Sequence, residues 1–173
     1  MARIRHTLIA AVAASALLLS ACSDATDTSS ATNETATTAA ADAGTITVED
    51  NHGTQEIALP VEAIASTDNR SFEILDAWGI DLVAAPKQLV PFTVEGYKND
   101  DDIIDLGTHR EPNLEALTAA QPDLIVNGQR FAQYKGDFEK LAPGATLIDL
   151  DPRDGENYAD ELIRQTRALG QIF

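Results

Sequence analysis

The sequence has a single cysteine, Cys22, among 173 residues. No internal disulfide can form, and no zinc site built on thiolates. Histidine is nearly as scarce: His6, His52 and His109 are scattered and lack the paired spacing of a metal site. Basic side chains are few, 12 Lys and Arg against 28 Asp and Glu, for a formal net charge of −16. A field of that sign repels nucleic acid, so nucleic acid is not an expected partner, and it keeps a secreted protein soluble. Catalytic patterns are missing as well. There is no glycine-rich phosphate loop, no nucleophile elbow and no His-Glu-x-x-His. The consecutive carboxylates Asp100-Asp101-Asp102 lack the Asp/Gly spacing of a calcium loop and read as a solvated acidic loop. A hydrolase using an acidic pair would have to find its second partner elsewhere, so the chain reads as a non-enzyme. The apolar run Leu8–Leu19, broken only by Ser15, is too short for a lasting membrane span.

What that run does have is a basic start, Arg3, Arg5 and His6, and the ending Leu19-Ser20-Ala21-Cys22. Small residues ahead of a lone cysteine resemble a bacterial lipoprotein signal, in which the thiol forms a thioether to diacylglycerol. The resemblance implies that Cys22 is the lipidation site and that acyl chains hold the mature protein to the cell membrane on its outer side. The alternative is an ordinary signal peptide with an incidental cysteine. Residues 23–44 are almost wholly Ser, Thr, Ala, Asp, Asn and Glu, with no large apolar side chain. They cannot bury enough surface to offset their ordering entropy and read as a disordered tether. The expected division is 1–21 signal, 22–44 tether and 45–173 a folded α/β domain.

In the folded part, Thr45–Val48 alternates polar and apolar, Asn51-His52-Gly53 is turn chemistry, and Gln55–Leu59 returns, which predicts an N-terminal β-hairpin. Strands are expected at 61–65, 80–84, 103–106, 123–126 and 146–150. Helices are expected at 70–78, with Asp68 as its N-cap and Trp78 in the core, at 131–141, and from 156 to 173. Residues 86–102 read as a loop. Strands and helices alternate from residue 61, which argues for a largely parallel sheet flanked by helices.

The most informative stretch is 105–130. Gly107 opens a turn, and Pro112 suits the first turn of a short helix that carries Leu114 and Leu117 on one face. Gln121-Pro122 stops the helix, Asp123–Val126 is a buried strand, and Asn127-Gly128 turns at its carboxyl end. Arg130 follows, where open α/β sheets place their ligands. A guanidinium there can reach a bound anion; the alternative is a surface arginine paired with a carboxylate.

Gly107-Thr108-His109-Arg110-Glu111-Pro112-Asn113-Leu114-Glu115-Ala116-Leu117, followed by Gln121-Pro122-Asp123-Leu124-Ile125-Val126, resembles the signature of the periplasmic binding proteins that serve uptake of iron–siderophores, haem and vitamin B12. The continuation from Asn127 to Pro143 resembles the catecholate-siderophore branch more than the B12 branch. The resemblance, over residues 45–173, implies the N-terminal lobe of a two-lobed binding protein, ending in the long helix that crosses to the second lobe. On that reading about half of the protein is absent, and the chain is a fragment or a shortened product.

The implied function is to bind a ferric siderophore outside the membrane and deliver it to an ABC permease as a monomer. A haem, hydroxamate-siderophore or B12 binder is the alternative, as is a one-lobe product without transport activity. Ferric iron arrives with the ligand, so no intrinsic cofactor and no protein metal ligand is expected. Arginine suits an oxygen-rich anion because its planar fork donates several hydrogen bonds and keeps its charge. The resemblance puts a ligand arginine near Arg130, with Gln129 one residue from the same register. Arg110 and Lys87 are the other candidates, and Tyr134 is expected to pack. Glu115 matches a glutamate that docks against permease arginines in the family; it otherwise reads as a solvated helix residue.

Overall fold

The computed structural model describes residues 44–173. The expected signal, Cys22 and the tether up to residue 43 lie outside the described residues. The chain begins with an antiparallel hairpin, β1 (Gly44–Asp50) and β2 (Gly53–Leu59), in the register Asp50↔Gly53 to Gly44↔Leu59. Its alternation turns Val48 and Ile57 inward, each 1% exposed, as a period of two requires.

A parallel sheet follows: β3 (Ile64–Ser66), β4 (Ala84–Ala85), β5 (Ile104–Asp105), then β8 (Leu124–Asn127) and β9 (Thr146–Asp149). Between β5 and β8 lies a two-residue-per-strand hairpin, β6 (Gly107–Thr108) and β7 (Glu111–Pro112). The helices are α1 (Phe72–Ala77), α2 (Glu95–Asn99), α3 (Leu114–Ala120), α4 (Lys135–Leu141) and α5 (Tyr158–Ile172). Strand order is β5-β4-β3-β8-β9. The chain starts in the middle, at β3, builds outward through β4 and β5, and then returns to the other side of β3 with β8. The order therefore reverses between β3 and β8, and their carboxyl ends diverge into loops that run in opposite directions.

The sheet is buried on both faces, so its interior strand β8 is a continuous apolar run rather than an alternation over Leu124–Val126. Leu124 and Val126 face a cluster with Phe72, Leu75, Ile148 and Leu169, under α1, α5 and the hairpin. Ile125 faces the other way, toward Leu117, Phe131, Phe138 and Leu147, under α3 and α4. Burying each of these large side chains stabilises by about 1.5–3 kcal/mol. At the amino edge, the Asp123 carboxylate accepts from the Glu62 and Ala63 N–H groups at 2.8 and 3.1 Å, tying β8 to the chain entering β3.

Several sequence expectations shift. The strand expected at 61–65 pairs only over Ile64–Ser66, and that at 80–84 only over Ala84–Ala85. The first helix begins after Ser71, whose hydroxyl donates to the Asp68 carbonyl instead of capping the helix. Asp68 does not cap it; its side chain is fully buried and accepts from the Arg70 N–H at 3.0 Å. Trp78 is not core: it ends α1 and is 43% exposed, its ring lying against Gly170 of α5. Pro112 pairs in β7 instead of starting α3, because Asn113 caps that helix through Ala116 N–H to its Oδ1 at 3.1 Å. The loop expected at 86–102 contains α2, which buries Tyr97. The helix expected at 131–141 is a 3-10 turn over Gln129–Tyr134 that passes into α4.

Candidate functional site

The carboxyl ends of four neighbouring strands meet around one concavity. After β3 come Thr67 and Asn69; after β4, Leu89; after β5, His109 at the tip of the β6–β7 hairpin; after β8, Gln129, Arg130 and Phe131. These residues line a space of about 290 Å³. None of them is a carboxylate, in a chain with 28 acidic side chains. The concavity sits over the β3–β8 reversal, where open α/β sheets bind ligands.

Two glycines let this edge form. Gly107 has φ +73, and a Cβ there would stand 2.6 Å from the Glu111 carbonyl oxygen; it makes the sharp entry to the hairpin that presents His109. Gly128 admits the chain between two carboxylates, since a Cβ there would stand 2.6 Å from Asp151 Oδ1 and 3.0 Å from Asp68 Cβ. Gln129 then takes the left-handed conformation, φ 53, which costs a non-glycine residue about 1 kcal/mol or more. Its N–H donates to both Asp151 carboxylate oxygens at 2.8 Å, which holds the strained turn and aims the next residue, Arg130, outward.

Arg130 is exposed, and its Nη1 lies 3.1 Å from His109 Nε2. Among the described residues it has no carboxylate within ion-pairing distance, so the surface ion pair that the sequence left open is absent there. Arg110 shares the hairpin tip with His109, is exposed and also has no carboxylate partner among the described residues. Lys87 is turned elsewhere. Its main-chain N–H donates to Asp105 Oδ1 at 3.1 Å, and its ammonium group donates to the Asp100 carbonyl, away from the concavity. Glu115 is exposed in the first turn of α3, outside the concavity lining. Tyr134 packs in a trio with Phe131 and Phe138, and its hydroxyl donates to the His109 carbonyl at 2.8 Å.

His109 is a member of the site that the sequence reading did not single out. Its pKa is held below the ordinary histidine range, first by partial burial, then by the charges of Arg130 and Arg110. The signal was present in the sequence, as a histidine directly beside an arginine, but its second arginine comes from 21 residues further on.

Beside the concavity, toward β9, the same edge carries a buried polar network in which most groups are paired, while Asn127 Nδ2 and Gln165 Oε1 have no partner among the described residues. Arg70 bridges Asp68 and Asp151, with Nε 3.0 Å from Asp68 Oδ1. Gln165 of α5 donates to Asp68 Oδ2, and Thr67 Oγ1 donates to Asn127 Oδ1 at 2.8 Å. Arg164 binds Glu161, the Asp151 carbonyl and Asn51 at the hairpin tip. The Arg153 guanidinium, 2.6 Å from the Glu161 carboxylate, is the main reason that Glu161 is held at a pKa of about 2. Among the described residues no three His, Cys, Asp or Glu side chains are grouped to hold a metal ion, and no helix is long and apolar enough to cross a membrane.

Comparison with known proteins places this geometry. The chain is 33% identical over 129 residues to the ferric-anguibactin-binding protein FatB of Vibrio anguillarum, covering 74% of this chain and 40% of that protein. The siderophore-binding protein BauB, solved with two molecules of acinetobactin and ferric iron, superposes with a TM-score of 0.66 at 29% identity, over 75% of this chain and 46% of that one. The periplasmic catecholate-siderophore-binding protein VctP of Vibrio cholerae superposes with a TM-score of 0.64 at 25% identity, over 75% and 46%. This chain thus spans about 40% of the length of the curated relatives it matches. Residues 64–173, the parallel sheet with its helices and the whole concavity, match the family described as periplasmic binding protein, and the chain belongs to that family.

Proposed function

We propose that this chain supplies one wall of a ferric-siderophore site, with a catecholate-type complex as ligand and Arg130 as its principal contact. The observation that carries this reading is the concavity at the β3–β8 reversal, free of carboxylates and lined by Arg130, with Arg110 next to His109 on the hairpin tip, neither arginine having an acidic partner among the described residues. A catecholate complex presents anionic oxygens on a rigid, aromatic surface. Arg130 and Arg110 supply charge, Thr67, Asn69 and Gln129 supply polar contacts, and Leu89 and Phe131 give an apolar floor. The names of the relatives, which bind ferric siderophores, support the same reading. The activity is capture and handover, without turnover of the ligand.

The remaining assignments belong to this proposal. Residues 1–21 direct export, Cys22 carries the lipid, 22–44 is the tether, and 45–173 is the binding lobe, which acts as a monomer and hands its ligand to an ABC permease. Lys87 is the weakest of the ligand candidates, because its ammonium group is committed to Asp100. Glu115 is exposed and outside the concavity, as a permease contact needs to be.

The test is equilibrium titration of the lipid-free chain with a ferric tris-catecholate, a neutral ferric tris-hydroxamate, haem and vitamin B12. Saturable binding of the catecholate, tenfold or more tighter than the others, is expected. Preference for the neutral hydroxamate would remove the anion reading, and preference for haem or B12 would move the chain to another branch of the family.

A further inference from the structure

A further inference, which rests on that reading, concerns His109. His109 Nε2 sits 3.1 Å from Arg130 Nη1. A guanidinium can only donate, so the contact requires a neutral imidazole with its proton on Nδ1. The backbone of the ring is fixed as well, because the His109 carbonyl accepts from the Tyr134 hydroxyl at 2.8 Å and Tyr134 is packed against Phe131 and Phe138. The charged groups acting on the ring are Arg130, from the 3-10 turn after β8, and Arg110, from its own hairpin. The other residues around the concavity, Thr67, Asn69, Leu89, Gln129 and Phe131, carry no charge. The imidazole therefore sits between two cations with no carboxylate in the lining to offset them.

We propose that His109 is the positioning residue of this site: neutral, it holds Arg130 over the concavity, and when an anionic chelate binds it takes up a proton and becomes a third donor to that anion. The exchange balances simply. The Arg130 N–H moves its hydrogen bond from Nε2 to a ligand oxygen. A proton from solvent then forms an N–H bond at Nε2, and that new donor turns to the ligand. The anion supplies the negative charge that the empty site lacks, so the protonated ring is favoured only when ligand is present.

Linkage fixes the direction. Burial and the two arginines keep His109 below the ordinary histidine pKa, and an anion beside it raises that pKa. Binding therefore consumes protons between the two values, and affinity increases as pH falls through that window, by at most about tenfold per pH unit for one group. Above the window His109 is neutral in both states and the dependence disappears.

The experiment is an NMR titration of His109 in the full chain, with His109→Gln identifying its resonance. It is run on the empty protein, on Arg130→Gln, and on the protein saturated with the gallium(III) complex of a hexadentate tris-catecholate chelator. The expected results are a pKa below the ordinary histidine range in the ligand-free protein, a rise in Arg130→Gln, and a rise with the chelate. His109→Gln should bind the chelate with a flatter pH profile on the acid side of neutrality. A His109 pKa unmoved by Arg130→Gln overturns the positioning role. Saturable chelate binding with an unmoved His109 pKa overturns the proton uptake while the siderophore reading stands. Absence of any chelate-induced shift in any resonance overturns both, and is distinct from the previous outcome because nothing binds.

Discussion

The carboxyl edge of the sheet carries two groups of arginines with opposite fates. On the β9 side, Arg70, Arg153 and Arg164 are each spent on carboxylates, Asp68, Asp151 and Glu161. On the β5 side, Arg110 and Arg130 have no acidic partner among the described residues, and Arg130 is turned toward His109. The two groups are joined through Gly128 and Gln129, whose backbone is clamped by the same Asp151 that Arg70 binds. The difference shows a division of labour. Paired arginines fix the loops after β3, β8 and β9 in place. Unpaired ones keep their charge and donors available, which a site for an anion requires. In an acidic chain, leaving two arginines unpaired beside a concavity without carboxylates requires that the nearby acids be occupied elsewhere, and the β9-side network occupies them.

That division predicts which substitutions act on stability and which on binding. Asp68→Ala strikes the paired side hardest. It takes from Arg70 one of its two carboxylates and leaves the buried Gln165 amide without its acceptor, and should lower folding stability by about 3 kcal/mol or more, read by denaturant unfolding; a loss below about 1 kcal/mol would show that the network is not what holds this edge. Arg130→Ala acts on the open side. It should weaken ferric tris-catecholate binding by about 2 kcal/mol, roughly thirtyfold, while unfolding midpoints stay nearly unchanged, as expected for an exposed side chain. Equal losses of stability and affinity would erase the distinction between the two groups. Gly128→Ala tests the joint between them. Its Cβ would press on Asp151 and Asp68, so a loss of about 1.5 kcal/mol in stability is expected, together with weaker binding as Gln129 and Arg130 shift. The smallest effect concerns acid. Glu161 has a folded pKa of about 2, lowered from the ordinary 4.5 chiefly by Arg153. A depressed carboxylate stabilises above its unfolded pKa and loses that contribution as pH falls through the folded value. Stability should therefore decline between about pH 4.5 and 2, and Glu161→Gln should flatten that limb.

The sequence made the local features of this molecule readable and concealed the long-range ones. The run Leu124–Val126 reads as a buried strand, and it lies between β3 and β9 with both faces covered. The alternation at 45–48 and 55–59 located the hairpin, and Gly107 and Asn127-Gly128 marked the turns that shape the site. Arg130 was legible because it follows a strand's carboxyl end. Trp78 was misread because helical spacing places it on the apolar stripe, whereas α1 ends before it and leaves it on the surface. Asp68 has the composition of a helix cap, but burial gives it partners 97 residues away in Gln165 and, through Arg70, 81 residues on in Asp151. No local spacing encodes such pairs. His109 escaped notice for the same reason: its significance lies in a neighbour brought by the return of β8 beside β3.

The most direct test of the central claim is amide chemical-shift mapping of the chain against the gallium(III) tris-catecholate complex. The account predicts that Thr67, Asn69, His109, Gln129 and Arg130 shift together on saturation, while Gln121 and Gly144 at the opposite edge of the sheet stay still. Shifts centred on that opposite edge, or on α5, would contradict the assignment of the β3–β8 concavity as the ligand site.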